Sequence, residues 1–142
     1  MSIQEIYDLP IEKIAKDDAY LFLWIPDSFL KEGLEIFERW GFKYKKKGFT
    51  WIKKTKTDKD YFGMGFTTRN GSEDLYIGSR GKPKVIDHSI RQVQYAKVES
   101  HSRKPDIFRE LIIKLCGKQP RIELFARESC CGFDIWGTEA RH

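Results

Sequence analysis

The chain has 142 residues, of which 40% are hydrophobic and 14% aromatic, and its 26 Lys and Arg against 21 Asp and Glu give a net charge of +5. This composition excludes a disordered chain and predicts one packed domain over residues 1–142. No apolar run approaches the ~20 residues of a membrane-spanning helix. The three cysteines form neither a disulfide framework nor a C-x-x-C metal pair. We therefore expect a soluble, cytoplasmic protein with no membrane partner and no metal site.

The first part of the chain predicts a helix, a strand and a second helix. Ser2 with Glu5 three residues later is a capping box for a short opening helix, which Pro10 ends. The apolar run Tyr20–Ile25 is typical of a central, buried parallel strand. Apolar residues then recur at helical spacing over Ser28–Trp40, and the glycine that follows suits a helix C-terminus.

A lysine-rich segment comes next. Residues 42–54 mix aromatic residues with lysines around Gly48, which predicts a peripheral hairpin with one wet face. Two interpretations stay open: the lysines track phosphates while the aromatic residues stack on bases, or they form a solvated face. The basic segment extends to residue 59, and its lysines are Lys43, Lys45, Lys46, Lys47, Lys53, Lys54, Lys56 and Lys59.

The rest of the chain alternates strands and helices. A short strand over Leu75–Gly78 precedes a turn and an irregular stretch to about Val98. Pro105 begins a helix that Gly117 ends. Strands are predicted over Arg121–Ala126 and Phe133–Trp136. The alternation favours an α/β domain.

Four short strings occur in an order that points to a known family. They are Arg69-Asn70 with Glu73, the string from His101 to Asp106, the string from Ile122 to Arg127, and the string from Gly132 to Glu139. Together they resemble the family named after the seventy-kilodalton subunit of the mRNA adenosine methyltransferase, especially bacterial and phage members that act on DNA. The resemblance implies a Rossmann-like methyltransferase domain. It also implies methyl transfer from S-adenosyl-L-methionine to the N6 amine of adenine in nucleic acid, with DNA favoured over RNA.

The resemblance implies four cofactor-binding residues. Lys104 corresponds to a lysine that meets the cofactor's carboxylate, Arg127 to an arginine on its ribose, and Thr138 with Glu139 to a pair near its adenosine moiety. Thr138 stands where many relatives have Asn. Two plainer interpretations remain: Lys104 with Pro105 as a simple helix start, and Arg127 as a surface salt-bridge partner.

The resemblance also implies residues around the target adenine. For His101 the alternative is a solvated loop histidine. Two lysines of the basic segment complete the predicted nucleic-acid-binding set, which comprises Arg69, Asn70, Glu73, His101, Lys54 and Lys56.

One departure from the family bears on catalysis. The family's hallmark is Asp-Pro-Pro-aromatic, whose Asp and a backbone carbonyl accept hydrogen bonds from the target amine. None of the five prolines here adjoins another, so we assign no catalytic residue. The resemblance implies an N-terminally shortened product or a late-start gene model, in which the domain lacks the strand that carries this motif. That strand normally lies between those resembling Tyr20–Ile25 and Ile122–Ala126, so both would have unpaired edges. We expect a chain that is marginally stable or associates with a second copy or another subunit.

Three hypotheses for function follow. The first is an adenine N6-methyltransferase acting on nucleic acid. The second is a catalytically inactive nucleic-acid-binding subunit, or fragment, of such an enzyme. The third is a decayed gene fragment without function.

Overall fold

A computed structural model describes residues 2–63, 67–99, 104–117, 121–124 and 133–136. The chain forms two compact units, residues 1–83 with 91–98 and residues 84–90 with 99–142. Within the described residues, no helix has the length and apolar character needed to cross a bilayer. The elements are α1 (Ile3–Tyr7), α2 (Ile11–Ile14), β1 (Ala19–Trp24), a 3-10 turn (Asp27–Phe29), α3 (Leu30–Arg39), β2 (Lys43–Lys54), β3 (Ser72–Arg80), β4 (Val93–Lys97), α4 (Ile107–Cys116), β5 (Arg121–Leu124) and β6 (Phe133–Trp136).

The opening helix forms as its cap predicts. The Ser2 side chain accepts a hydrogen bond from the Glu5 backbone N–H at 3.2 Å, which satisfies one of the open donors of α1. The buried Trp40 indole donates to the Ile6 carbonyl at 2.9 Å. This bond fastens α1 to the end of α3.

The first unit is built on a four-stranded mixed sheet in the order β1-β3-β2-β4. Strands β1 and β2 both pair antiparallel with β3, and β4 pairs parallel with β2. The buried hydrophobic residues of this unit lie on and around that sheet: Ile11, Ile25, Phe37, Trp40, Phe42, Phe49, Trp51, Leu75 and Tyr76.

The first strand differs from its prediction. β1 runs antiparallel to β3 and lies at one end of the four-strand order, so the expectation of a central parallel strand is wrong for the described sheet. All six of its residues are half-buried. A continuous apolar run fits a strand covered on both faces, but it does not fix the direction of the neighbouring strand.

The lysine-rich segment is also not a hairpin. Residues Lys43–Lys54 form one 12-residue strand, which lies between β3 and β4. The register with β3 slips between Tyr44 and Lys46 and again between Lys47 and Phe49. Gly48 therefore marks a bulge, and a Cβ there would lie 2.5 Å from the Ile77 side chain. A glycine that permits a close approach inside a strand has the same sequence signature as a glycine in a turn.

Helix α3 packs on the sheet through Phe37. This side chain is fully buried, and its ring lies 5.7 Å from that of Tyr44 on β2. A Cβ at Gly78 of β3 would overlap the Phe37 ring. Gly41 takes the positive φ expected after the helix, at 80°.

Strand β4 lies in the stretch that the sequence indicated as irregular up to about Val98. Its five residues alternate between exposed and half-buried side chains. Gln92 and Val98 anchor its ends to β2: the Thr50 N–H donates to the Gln92 carbonyl at 2.9 Å, and the Val98 N–H to the Lys54 carbonyl at 2.8 Å. A single edge strand of mixed composition gives little periodic signal, which explains the wrong prediction.

The second unit contains α4 and the parallel pair β5 and β6. Helix α4 buries Phe108 and ends at Gly117, whose φ is 73°. The Ile86 N–H donates to the Leu115 carbonyl at 2.7 Å, which ties residues 84–90 to the end of this helix. The predicted helix and both strands are confirmed within the described residues.

The contact between Phe37 and Gly78 predicts a stability effect. Gly78→Ala should lower the free energy of unfolding by about 1–3 kcal/mol, because the added methyl group overlaps a ring that cannot move within a packed core. Urea denaturation measures the loss. In a Phe37→Leu background the same substitution should cost clearly less, because the smaller side chain leaves room. An equal loss in both backgrounds would contradict this packing.

Candidate functional site

The lysines of the basic segment fall into two groups. Lys43, Lys45, Lys46, Lys56 and Lys59 are exposed. The other three lie in ion pairs: Lys47 with Asp74 at 3.4 Å, Lys53 with Glu73 at 2.7 Å, and Lys54 with Asp60 at 2.8 Å. The three acids lie on β3 and after the turn, outside the lysine run itself. The local positive charge is therefore smaller than the run alone indicates.

Lys53 is the centre of the most enclosed of these pairs. Its side chain is 19% exposed and that of Glu73 is 29% exposed. Its ammonium group lies 5.2 Å from the ring centroid of Trp51 and 5.4 Å from that of Tyr61. A cation held against two aromatic faces and a carboxylate is strongly fixed in position. Glu73, predicted from the resemblance to lie near the target base, thus makes an ion pair within the fold.

The neighbouring loop carries Arg69 and Asn70. Both residues are exposed. The Asn70 carbonyl accepts a hydrogen bond from the Gly63 N–H at 2.5 Å, and the Gly71 carbonyl accepts one from the Lys53 N–H at 3.0 Å. Backbone hydrogen bonds thus hold this loop beside the end of β2 and next to the start of β3, where Glu73 lies.

The other two predicted residues are Lys54, the last residue of β2, and Lys56 in the turn that follows. Lys54 and Asp60 also form an isolated bridge that closes the turn, and Asp58 within it has a φ of 63°. The hydrogen bond to Asp60 raises the pKa of Lys54 above its ordinary value. Lys54 is therefore positively charged throughout the neutral pH range. Lys56 extends from the turn into solvent.

Lys104 lies in the second unit. It is half-buried and immediately precedes the buried Pro105 and the N-cap Asp106 of α4. The Asp106 carboxylate accepts a hydrogen bond from Arg109 at 2.5 Å instead of capping the helix. The other predicted residues of the cofactor and base sites, His101, Arg127, Thr138 and Glu139, lie outside the described residues. The described part of the chain contains no cluster of three or more His, Cys, Asp or Glu suited to a metal.

Sequence reasoning missed the pairing of the lysines with acids and aromatic residues, including the pairing of Lys53 with the predicted residue Glu73. Asp60, Glu73 and Asp74 reach their lysines through strand pairing or a turn closure, as the register of β2 and β3 shows. The ring of Tyr61 likewise contacts Lys53, and the ring of Tyr95 contacts Lys54. A hydrophobic pattern gives no information on such pairs until the register is known.

Comparison with known proteins identifies the class. Residues 1–139 match the MT-A70 family. The Type II methyltransferase M.MunI of a Mycoplasma species is 30% identical over 142 residues, which cover 98% of this chain and 58% of that protein. The human N(6)-adenosine-methyltransferase catalytic subunit METTL3 is 28% identical over 117 residues, which cover 80% of this chain and 20% of that protein. The N6-methyladenosine RNA methyltransferase MTA1 of Pyricularia oryzae is 27% identical over 152 residues, which cover 95% and 38%.

The mixed α/β fold and these matches define a methyltransferase domain of the Rossmann-like class, as the sequence predicted. The chain belongs to the MT-A70 family. It spans 58% of the length of M.MunI, 20% of that of METTL3 and 38% of that of MTA1.

The enclosure of Lys53 and Glu73 predicts that this pair stabilises the fold. Glu73→Gln should lower the free energy of unfolding by about 1–3 kcal/mol, because it leaves a partly buried ammonium without its carboxylate. The matched control is Glu35→Gln, which removes the carboxylate of a pair whose side chains are 45% and 51% exposed and should cost under about 1 kcal/mol. Both are measured by urea denaturation. If Glu73→Gln unfolds at the wild-type midpoint, the charge of Glu73 has no structural task.

Proposed function

We propose that this chain is part of an enzyme that methylates the N6 amine of adenine in nucleic acid, with S-adenosyl-L-methionine as the methyl donor. The family match over residues 1–139 carries the proposal. The relatives described above are methyltransferases by name, and METTL3 and MTA1 are named for N6-adenosine chemistry.

We propose DNA as the substrate. The four strings that carry the resemblance are most similar to those of bacterial and phage members that act on DNA. M.MunI is 30% identical over 98% of the chain, against 28% over 80% for METTL3 and 27% over 95% for MTA1. The net charge of +5 suits either nucleic acid. A cytosolic location and an association with a second copy or another subunit belong to the same proposal.

Lys104 suits the proposed role at the cofactor's carboxylate. A lysine is a compact cation, and this one lies just before the ten-residue helix α4, whose dipole also favours an anion at its N-terminus. The half-buried position limits competition from water. Arg127, Thr138 and Glu139 complete the proposed cofactor site.

The cofactor supplies an electrophilic methyl group on a sulfonium. The protein's task is to hold the amine in line with the methyl group, so that much of the catalysis is positioning. These 142 residues carry no Asp-Pro-Pro motif to accept the amine hydrogens. The proposal therefore needs that acceptor from another segment or another subunit.

The nucleic acid would contact the first unit. Arg69 and Asn70 lie exposed on the loop before β3, while Lys54 and Lys56 lie at the turn after β2. Exposed cations on neighbouring loops suit a phosphate backbone, whose contacts position the substrate without specifying sequence. His101 and Glu73 belong to the proposed surroundings of the base.

A second candidate function is a nucleic-acid-binding subunit without catalytic activity. The exposed lysines of β2 and its turn favour this alternative, because they can hold nucleic acid whether or not a cofactor binds. Cofactor affinity discriminates between the two candidates.

The role of Lys104 predicts the outcome of a titration with S-adenosyl-L-methionine. Lys104→Ala should weaken binding about 10- to 150-fold, because a charge-assisted hydrogen bond contributes roughly 1.5–3 kcal/mol. Isothermal titration calorimetry measures the affinity. Lys114→Ala, at an exposed lysine in the last turn of the same helix, is the matched control and should bind as the wild type does. A folded wild-type chain that does not bind the cofactor would contradict the enzyme proposal and favour the second candidate.

The ion pair of Lys54 predicts a gain of affinity. Asp60→Asn should tighten binding to an adenine-containing DNA about two- to fivefold at low salt, because it releases Lys54 to contact a phosphate. The matched control is Asp58→Asn, which removes the same charge from the same turn at a position where Asn tolerates the positive φ. Fluorescence anisotropy gives both affinities. Equal gains in the two variants would show that Lys54 does not contact the nucleic acid.

A further inference from the structure

The outer face of β4 is a rigid, exposed surface that the proposed site does not use. The strand lies at the end of the sheet order opposite β1, and β2 holds it at both ends through the backbone hydrogen bonds of Gln92 and Val98. Its inner face is fixed as well, because the Ala96 carbonyl accepts a hydrogen bond from the buried Trp51 indole at 2.8 Å. Residues on the outer face are therefore held in a defined position before any ligand binds.

Tyr95 is the prominent residue of this face. Its side chain is 65% exposed, and Val93 two residues earlier is 45% exposed. In the register with β2, Tyr95 lies opposite the half-buried Ile52, so its ring stands on the sheet surface. An aromatic ring on a well-held strand loses little conformational entropy when a flat ligand stacks on it.

Two lysines, Lys54 and Lys97, lie near this ring. The Lys54 ammonium lies 5.5 Å from the ring centroid of Tyr95, and the exposed Lys97 lies two residues further along the same face. Lys54 and Lys97 are register partners. Two acids lie near Lys54: Asp60, which is paired with it and is itself 74% exposed, and Asp58 in the same turn. The surface thus combines a largely exposed aromatic ring with one lysine over the ring and a second lysine on the same face.

We propose that the outer face of β4 binds a single-stranded segment of nucleic acid, with an unpaired base stacked on Tyr95 and a neighbouring phosphate at Lys54 and Lys97. Aromatic rings stack on any base, while lysines recognise the backbone. The surface therefore holds the strand without regard to its sequence. It shares Lys54 with the nucleic-acid contacts proposed above and adds Tyr95 and Lys97 to them.

Charge complementarity favours this occupant over another protein strand. Lysines at a sheet edge oppose edge-to-edge pairing, which argues against a second copy of the chain adding to β4. The same lysines attract a polyanion. The alternative is that these lysines only prevent strand pairing at the sheet edge and bind no ligand, and the test must distinguish the two.

This inference rests on the proposed action on nucleic acid. The test therefore uses a probe without adenine, a fluorescent oligothymidine of about 15 nucleotides, which spans a typical single-strand site. An abasic oligonucleotide of the same length keeps the phosphates and removes the bases. Fluorescence anisotropy at several salt concentrations gives both affinities for the whole chain.

The wild type should bind oligothymidine more tightly than the abasic strand. Tyr95→Ala should weaken oligothymidine binding about 5- to 100-fold and remove the difference between the two probes, because one stacked base is lost. Tyr95→Phe should retain binding, since it keeps the ring. Lys97→Met should reduce the slope of log affinity against log salt by about 0.7.

The matched control is Phe29→Ala, which removes another exposed ring, 58% exposed, from the 3-10 turn before α3. It should bind oligothymidine as the wild type does. If wild type binds and Tyr95→Ala binds equally well, the inference about β4 is overturned while the proposed function stands. A folded wild type that binds neither oligothymidine nor adenine-containing DNA overturns the nucleic-acid proposal itself.

Discussion

The burial of Trp51 is the constraint on which the first unit depends. Its indole donates to the Ala96 carbonyl of β4, its ring meets Trp24 of β1 at 6.3 Å, and Lys53 lies over its face. One side chain thus links three strands and the ion pair with Glu73. Because a buried indole N–H needs an acceptor, the position of β4 is set by the same residue that fills the core. The position of Lys54, which is proposed to contact nucleic acid, depends on this arrangement, because Lys54 ends β2 three residues after Trp51.

Charge compensation shapes the surface as much as the number of lysines does. Lys47, Lys53 and Lys54 each have an acid partner from a neighbouring strand or turn, and the ion pair holds each ammonium group in place. Lys43 and Lys56 extend into solvent. Fixed cations provide geometry, whereas solvated cations provide a field that falls off within a Debye length of about 10 Å. A protein that must place one base and also attract a long polyanion needs both kinds.

Local signals in the sequence predicted the ends of helices well. Ser2, Gly41 and Gly117 act through hydrogen bonds and dihedral angles within a few residues of themselves. The direction of β1, the bulge at Gly48 and the existence of β4 depend on which strands become neighbours, and short-range patterns do not contain that information. The same holds for the candidate site: the carboxylate partners of Lys47, Lys53 and Lys54 became visible only through the strand register and the closure of the turn. The roles that the family strings predict for Lys104 and Glu73 stay predictions. The predicted roles of His101 and Arg127 stay predictions.

The two ends of the four-stranded sheet differ in a way that bears on assembly. At one end, β4 carries exposed Lys97 and accepts Lys54 beside Tyr95, so charge opposes the addition of another protein strand. At the other end, β1 consists of six half-buried and mostly apolar residues, and β3 is its one strand neighbour within the described residues. The charge at β4 thus disfavours a further protein strand and suits the polyanion proposed there, whereas the residues of β1 carry no charge.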